Sequence, residues 1–216
     1  FDREYEGVMG DVVIAGLVRT PMGVFQSLYE PGAKKRWSMP KEEDIIGCKI
    51  AAIDPFFLEE TQATAELCVK YNKSYVTIDS KHDSYLHQHC AVNVVSKECT
   101  ESDGYKDKSI EEIYELLVAS TDGLVIITSG GNDMIYGRKG QLMKRMKPFS
   151  VDVKSTLGAG DTFKAGCVYG LLHGMEDDEL VRFASACSAI AISRFPLPLN
   201  PPTLLEVNSL LENTKK

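Results

Sequence analysis

The chain has 216 residues, of which 44% are hydrophobic and 25% charged, the proportions of a globular domain able to bury a sizeable core. Its net charge of -7 argues against a surface built to hold nucleic acid, which needs clustered cations. No apolar stretch approaches the roughly 20 residues that span a bilayer, and no signal peptide is visible, so a cytoplasmic protein with no membrane partner is expected.

In chain order, residues 11–17 and 23–29 read as strands joined through Arg19-Thr20-Pro21, and Glu30-Pro31-Gly32-Ala33 reads as a turn. A strand is predicted at 49–53, a helix at about 58–71, and strands at 75–78 and 92–95. A helix follows at 110–119, then the apolar run 124–127, closed by Thr128-Ser129-Gly130-Gly131 in the manner of a buried parallel strand ending at a ligand crevice. Helices are expected from 163 to the glycine stop at 174, over about 177–194, and over about 202–211 after a Pro-rich stretch. Such alternation predicts an α/β fold whose mostly parallel sheet is flanked by helices.

In the polar segment between the strands at 75–78 and 92–95, His82, His87, His89 and Cys90 make one cluster that imidazole and thiolate chemistry allows as a zinc site; a solvated loop is the preferred reading. The six cysteines show no paired metal-ligand spacing and are expected to be buried, reduced thiols. Trp37, the one tryptophan, follows Lys34-Lys35-Arg36.

The most informative run is Ser155-Thr156-Leu157-Gly158-Ala159-Gly160-Asp161-Thr162-Phe163. Small residues at 158 to 160 let a ligand approach the backbone, and the first amides of the helix that follows have no intrahelical partners. Phosphate oxygens are the natural acceptors for such amides. Asp161, at the mouth of this turn, is placed to take a proton from a hydroxyl that attacks the phosphate.

This run resembles the C-terminal signature of the ribokinase family, the PfkB carbohydrate kinases, whose core is Asp-Thr-x-Gly-Ala-Gly-Asp-Thr-Phe. The chain matches it at Thr156, Gly158, Ala159, Gly160, Asp161, Thr162 and Phe163, and departs at Ser155. The alanine-rich centre of the 177–194 helix resembles the helix that lines the family's adenine pocket, with Ser185 facing the base. Thr128 and Gly130 fit the family's Thr-x-Gly turn at the nucleotide phosphates, with Asp133 where a further glycine is common. The segment Val92 to Cys99 falls where members carry Asn-x-x-Glu, departing at Ser96 and Cys99 and keeping an acid at Glu98.

The resemblance implies a ribokinase-like fold with a small β lid over the sugar, here residues 1–40, and a nucleotide-binding core at 41–216. It implies transfer of the γ-phosphoryl group of ATP to a hydroxyl of a small sugar or sugar acid. In that reading Asp161 is the base, the turn of Gly158, Ala159 and Gly160 is the anion hole, and Thr128, Gly130, Ser96 and Ser185 contact the nucleotide. Glu98 organises the water shell of Mg²⁺. Many members also use K⁺ beside the anion hole; Ser155, and Phe195-Pro196-Leu197 where a Gly-Ala pair is common, depart from that pattern. A homodimer through the lid is common among relatives. The resemblance begins partway into the family's fold, so a fragment, or residues omitted from the sequence, is expected.

Each assignment has a plainer alternative. Asp161 has the plainer reading of a first-turn acid complementing the helix dipole, worth ~0.3–1 kcal/mol. Ser96 and Glu98 read as a helix cap and first-turn acid, Ser185 as a small packing residue, and Thr128-Gly130 as an ordinary turn. A catalytically silent relative that senses sugar or nucleotide, and a kinase of a nucleoside or vitamin precursor, both stay open.

Overall fold

A computed structural model describes residues 12–14, 39–57, 59–102, 104–195 and 200–214. Five short apolar runs form the parallel part of its sheet: β1 (Val12–Ile14), β2 (Ile50–Ile53), β3 (Ser74–Ile78), β4 (Val92–Val95) and β5 (Leu124–Ser129). They lie side by side in sequence order, with registers such as Ala51 on Tyr75 and Val94 on Ile126. Every residue of β2 and β4 is buried, as expected of strands covered on both faces, which read as unbroken hydrophobic runs rather than alternating ones.

The sheet then continues in the opposite sense. β6 (Asn132–Gly137) folds back on β5, and β7 (Lys144–Met146) folds back on β6, both antiparallel. Gly130-Gly131 therefore does more than end a strand, because it is also the turn of a hairpin. Sequence pattern did not reveal β6 or β7, since Asn132-Asp133 opens the strand with exposed polar residues and Lys144-Arg145 shows no apolar period.

Of the strand expected at 11–17, Val12–Ile14 lies among the described residues, and it forms β1. Val12, Val13 and Ile14 pair in parallel with Ile50, Ala51 and Ala52, which puts this strand in the main sheet. A boundary at residue 40 thus divides one sheet. The strand expected at 23–29, the turn at 30–33 and Trp37 lie outside the described residues.

Helices cover both faces. On one face Ile50, Ala52, Val76, Ile78, Val92, Val94, Leu124 and Ile126 pack against α6 (Ala159–Leu172) and α7 (Asp177–Ile192). The alternate residues Ala51, Ile53 and Tyr75 pack on the other face against α2 (Glu59–Lys70) and α3 (Tyr85–His89), with α1 (Glu42–Gly47) beside them. Further along that face Val95, Val125 and Ile127 meet α5 (Ile110–Ala119). Period-2 strand geometry thus sends successive side chains to different helices. α5 starts at a full capping box, Ser109 with Glu112, which satisfies two amides that a helix N-terminus otherwise leaves without partners.

α8 (Leu204–Asn213) packs on α7 through Val207 and Phe183 and repeats the capping-box device with Thr203 and Glu206. Glu206 also pairs with Arg194 just past α7, at 2.7 Å. The Arg194 guanidinium, then the Thr203 amide and hydroxyl, hold the Glu206 carboxyl down at about 2. A carboxyl whose folded pKa is depressed contributes stability above its unfolded value of about 4.3, and that contribution is lost as pH falls toward 2. Both partners are partly solvated, so the effect is modest. Thermal melts at pH 5 and pH 2.5 should show a larger loss of Tm in the wild type than in Glu206→Gln; equal losses would remove this pair from the acid response.

Candidate active site

The parallel strands all point their C-terminal ends toward one crevice, the place where open α/β sheets bind ligands. Asp54 follows β2, Asp79 follows β3, Ser96 follows β4, and Thr128 closes β5. The N-terminus of α6 faces these ends, and a Cβ placed on Gly160 would sit 3.1 Å from Cδ1 of Ile78, the last residue of β3.

α6 begins earlier than the expected helix, so Ala159, Gly160 and Asp161 form its first turn and Gly158 its N-cap. Gly158 has φ of 82°, a left-handed conformation that costs any side-chain-bearing residue. The turn is braced from three directions. Ala159 N–H donates to Thr156 O at 3.1 Å, Thr162 Oγ1 donates to Gly158 O at 2.8 Å, and Ser188 Oγ of α7 donates to Ala159 O at 3.1 Å. The Ala159 amide is therefore engaged in closing the turn, which leaves the Gly158 and Gly160 amides as the better candidates to hold an anion.

A cleft of about 590 Å³ brings together Ser96, Glu98, Thr128, Gly130, Ala159, Gly160 and Ser185, residues drawn from four separate segments. Gly158 and Asp161 are not in its lining. The Asp161 side chain is 75% exposed, beside the Gly160 amide that does line it. Ser96 is the N-cap of a short helix, α4 (Lys97–Thr100), and its Oγ accepts from Cys99 N–H at 3.1 Å, so its hydroxyl serves as the cap of the plainer reading while still facing the cleft. Glu98 stands exposed in the first turn of α4. Gly130, at φ of 60°, gives the hairpin turn its left-handed step. Thr128 Oγ1 makes a long bond to Val95 O at 3.4 Å.

Three residues that sequence reasoning passed over organise this end of the sheet. Asp79 sits at φ of 50° and accepts the Ser96 amide on Oδ1 at 2.7 Å, which ties the end of β3 to the loop after β4. Burial raises its carboxyl above the ordinary value, the Ser96 amide and hydroxyl oppose that, Glu98 raises it further and Lys164 lowers it. Lys164, one turn into α6, is buried against Asp54 and lies 3.8 Å from Asp161. The signal for both acids was present, since each directly follows an apolar strand run. Lys164 carried no signal beyond being a charge in an otherwise apolar helix. Cys99, beside Asp79, is pushed up to about 11 chiefly by burial, with the Asp79 charge adding to it, and is a poor nucleophile there.

The histidine cluster is not a solvated loop. His87 and His89 lie in α3, capped by Ser84, with His82 in the turn before it and Cys90 at its C-terminal cap; Leu86, His87 and Cys90 are buried. Both His87 ring nitrogens are occupied: Nε2 donates to Leu117 O at 2.9 Å, which leaves Nδ1 to accept from Asn93 Nδ2 at 2.8 Å. Burial lowers the His87 pKa and keeps the ring neutral. His89 points away and stacks on Tyr85, and among the described residues no group of three His, Cys, Asp or Glu is placed to hold a metal.

A crevice at the ends of parallel strands, roofed by a glycine-rich helix start that carries an acid, is an arrangement that could hold an anion. The chain belongs to the pfkB family of carbohydrate kinases, whose family model matches residues 56–201. Among curated relatives, the 5-dehydro-2-deoxygluconokinase of Shouchella clausii (strain KSM-K16) is 33% identical over 103 residues, 47% of this chain and 31% of the relative. That of Bacillus anthracis (strain A0248) is 33% identical over 94 residues, 43% and 28%. The alignments thus span less than a third of those relatives. In fold, the chain is similar to a ribokinase of Thermotoga maritima, with a TM-score of 0.69, 19% identity and coverage of 81% and 60%. It is also similar to a putative ribokinase of Agrobacterium tumefaciens, with a TM-score of 0.74, 16% identity and coverage of 85% and 62%. Among the described residues no helix is long and apolar enough to cross a membrane.

Proposed function

We propose that this chain carries the nucleotide-binding part of an ATP-dependent sugar kinase that phosphorylates a hydroxyl of a small sugar or sugar acid. The observation that carries the reading is the left-handed Gly158 cap that presents Gly160 to the cleft and Asp161 beside it, opposite the ends of β3, β4 and β5. The names of the curated relatives favour a keto-sugar acid as acceptor.

Phosphoryl transfer asks the protein mainly for positioning and charge stabilisation. The Gly158 and Gly160 amides would hold charge on the transferred group, and the α6 dipole adds to them. Asp161 would accept the proton of the attacking hydroxyl, in the open position its exposure provides. Thr128 and Gly130 would sit along the phosphates, and the α7 wall at Ser185 against the base. The donor set suits Mg²⁺, because Glu98 offers an exposed carboxylate in the cleft and hard cations take oxygen ligands. Bound there, Mg²⁺ would neutralise charge on the donor phosphates.

The test is ADP formation from Mg·ATP by the full-length protein against sugars, sugar acids, nucleosides and pyridoxal, with and without K⁺. Acceptor-dependent turnover supports the reading; nucleotide binding with no turnover on any acceptor would favour a sensing relative. Glu98→Gln should raise the Mg²⁺ concentration for half-maximal rate by about tenfold, as loss of an outer-shell carboxylate commonly does. An unchanged Mg²⁺ titration would release Glu98 from that role.

A further inference from the structure

Lys164 is 7% exposed, although it belongs to a residue type that is almost never fully buried unless paired. It lies on the same face of α6 as Asp161, three residues on, while its Nζ is in contact with Asp54 beyond the end of β2. Carboxylates reach this ammonium from each neighbouring element that carries one: Asp54 after β2, Asp79 after β3 through its electrostatic coupling, and Asp161 on α6 itself. Glu98 of α4 acts in turn on Asp79. One cation thus pairs with two acids and acts electrostatically on a third.

A buried ion pair is a weak source of stability, because desolvation offsets much of the attraction. Its location is more telling. The Asp161 carboxylate is largely exposed, and Lys164 is its ion-pair partner among the described residues, so the ammonium is what relates that carboxylate to the ends of β2 and β3. We propose that Lys164 is a positioning residue, clamped by Asp54, which holds the Asp161 carboxylate in register with the crevice. The proposal rests on the kinase reading and goes beyond it, since the glycine-rich turn and Asp161 form a phosphoryl-transfer site without specifying any cation behind them.

The two arms of the clamp give opposite pH signatures. Lys164→Met removes the cation and should move the acid limb of log kcat to higher pH. Asp54→Asn leaves the cation to Asp161 and Asp79 and should move the limb to lower pH. Each shift is expected at about half a pH unit or more, below the full effect of a close charge pair because Asp161 is solvated. At the pH optimum Lys164→Met should lower kcat about tenfold, with KM for Mg·ATP changed less than about twofold, the pattern of a displaced reacting group.

The measurement is kcat and KM against pH for full-length wild type and both variants, using Mg·ATP and whichever acceptor of the panel the wild type phosphorylates, with thermal melts to confirm folding. A merely structural pair would move both limbs in one direction or neither, and that result overturns the proposal. If Lys164→Met fails to fold, Asp54→Asn, which keeps the buried ammonium, decides the matter by the direction of its shift. A wild type that turns over no acceptor sinks the kinase reading and this inference with it, whereas an active wild type with unshifted variants sinks this inference alone.

Discussion

Asp161→Asn is expected to lower kcat by about 10²–10⁴-fold, the range that a positioned general base contributes. That corresponds to roughly 3–5 kcal/mol of transition-state stabilisation. The substitution keeps the side chain's shape and removes its capacity to accept a proton. Asp161 lies outside the cleft lining and its carboxylate is exposed, so neither the nucleotide contacts nor the packing of α6 depends on it. Mg·ADP affinity by calorimetry should therefore stay within about threefold, separating loss of chemistry from loss of binding. An asparagine variant with near-normal turnover would return Asp161 to the plainer role of a first-turn acid.

Gly166→Val is expected to give the largest loss of stability among substitutions in the α6–α7 contact. A Cβ at position 166 would stand 2.7 Å from Ala184 Cα and 3.1 Å from Ala184 Cβ. These atoms belong to the neighbouring helix itself rather than to the tip of a flexible side chain, so the two helices must part. Overpacking of this kind costs about 1–3 kcal/mol, and each kcal/mol lowers Tm by roughly 2–4 °C in a chain of this size. The effect reaches the cleft, because α7 holds the first turn of α6 through Ser188 and contributes Ser185 to the wall. Nucleotide affinity should fall along with Tm, as paired calorimetry and melting curves would show. A variant with wild-type Tm would mean that the helices can move apart at no cost.

Much of the site was legible because its chemistry is local. The turn Gly158-Ala159-Gly160 and the acid after it are consecutive residues, and small side chains before an apolar helical run suffice to indicate an open helix start beside a carboxylate. The strands β2 to β5 were legible for a similar reason, since burial on both faces requires continuous apolar runs. The histidine segment misled because its polarity suggested water. The His87 ring is instead satisfied inside the fold, by Leu117 O from α5 and Asn93 from β4, partners 30 and 6 residues away.

By itself the sequence determined the strands β2 to β5, the longer helices, and the glycine-rich turn with the acid beside it, all properties of short stretches and their periodicity. Only the tertiary structure decided that Val12–Ile14 joins the main sheet, that the chain after Gly131 returns as two antiparallel strands, and that Lys164 meets both Asp54 and Asp161 and acts on Asp79. Asp54 and Lys164 are 110 residues apart. No local propensity encodes such a meeting. It arises because parallel strands deliver their C-terminal residues to one edge, where the helix that covers them begins.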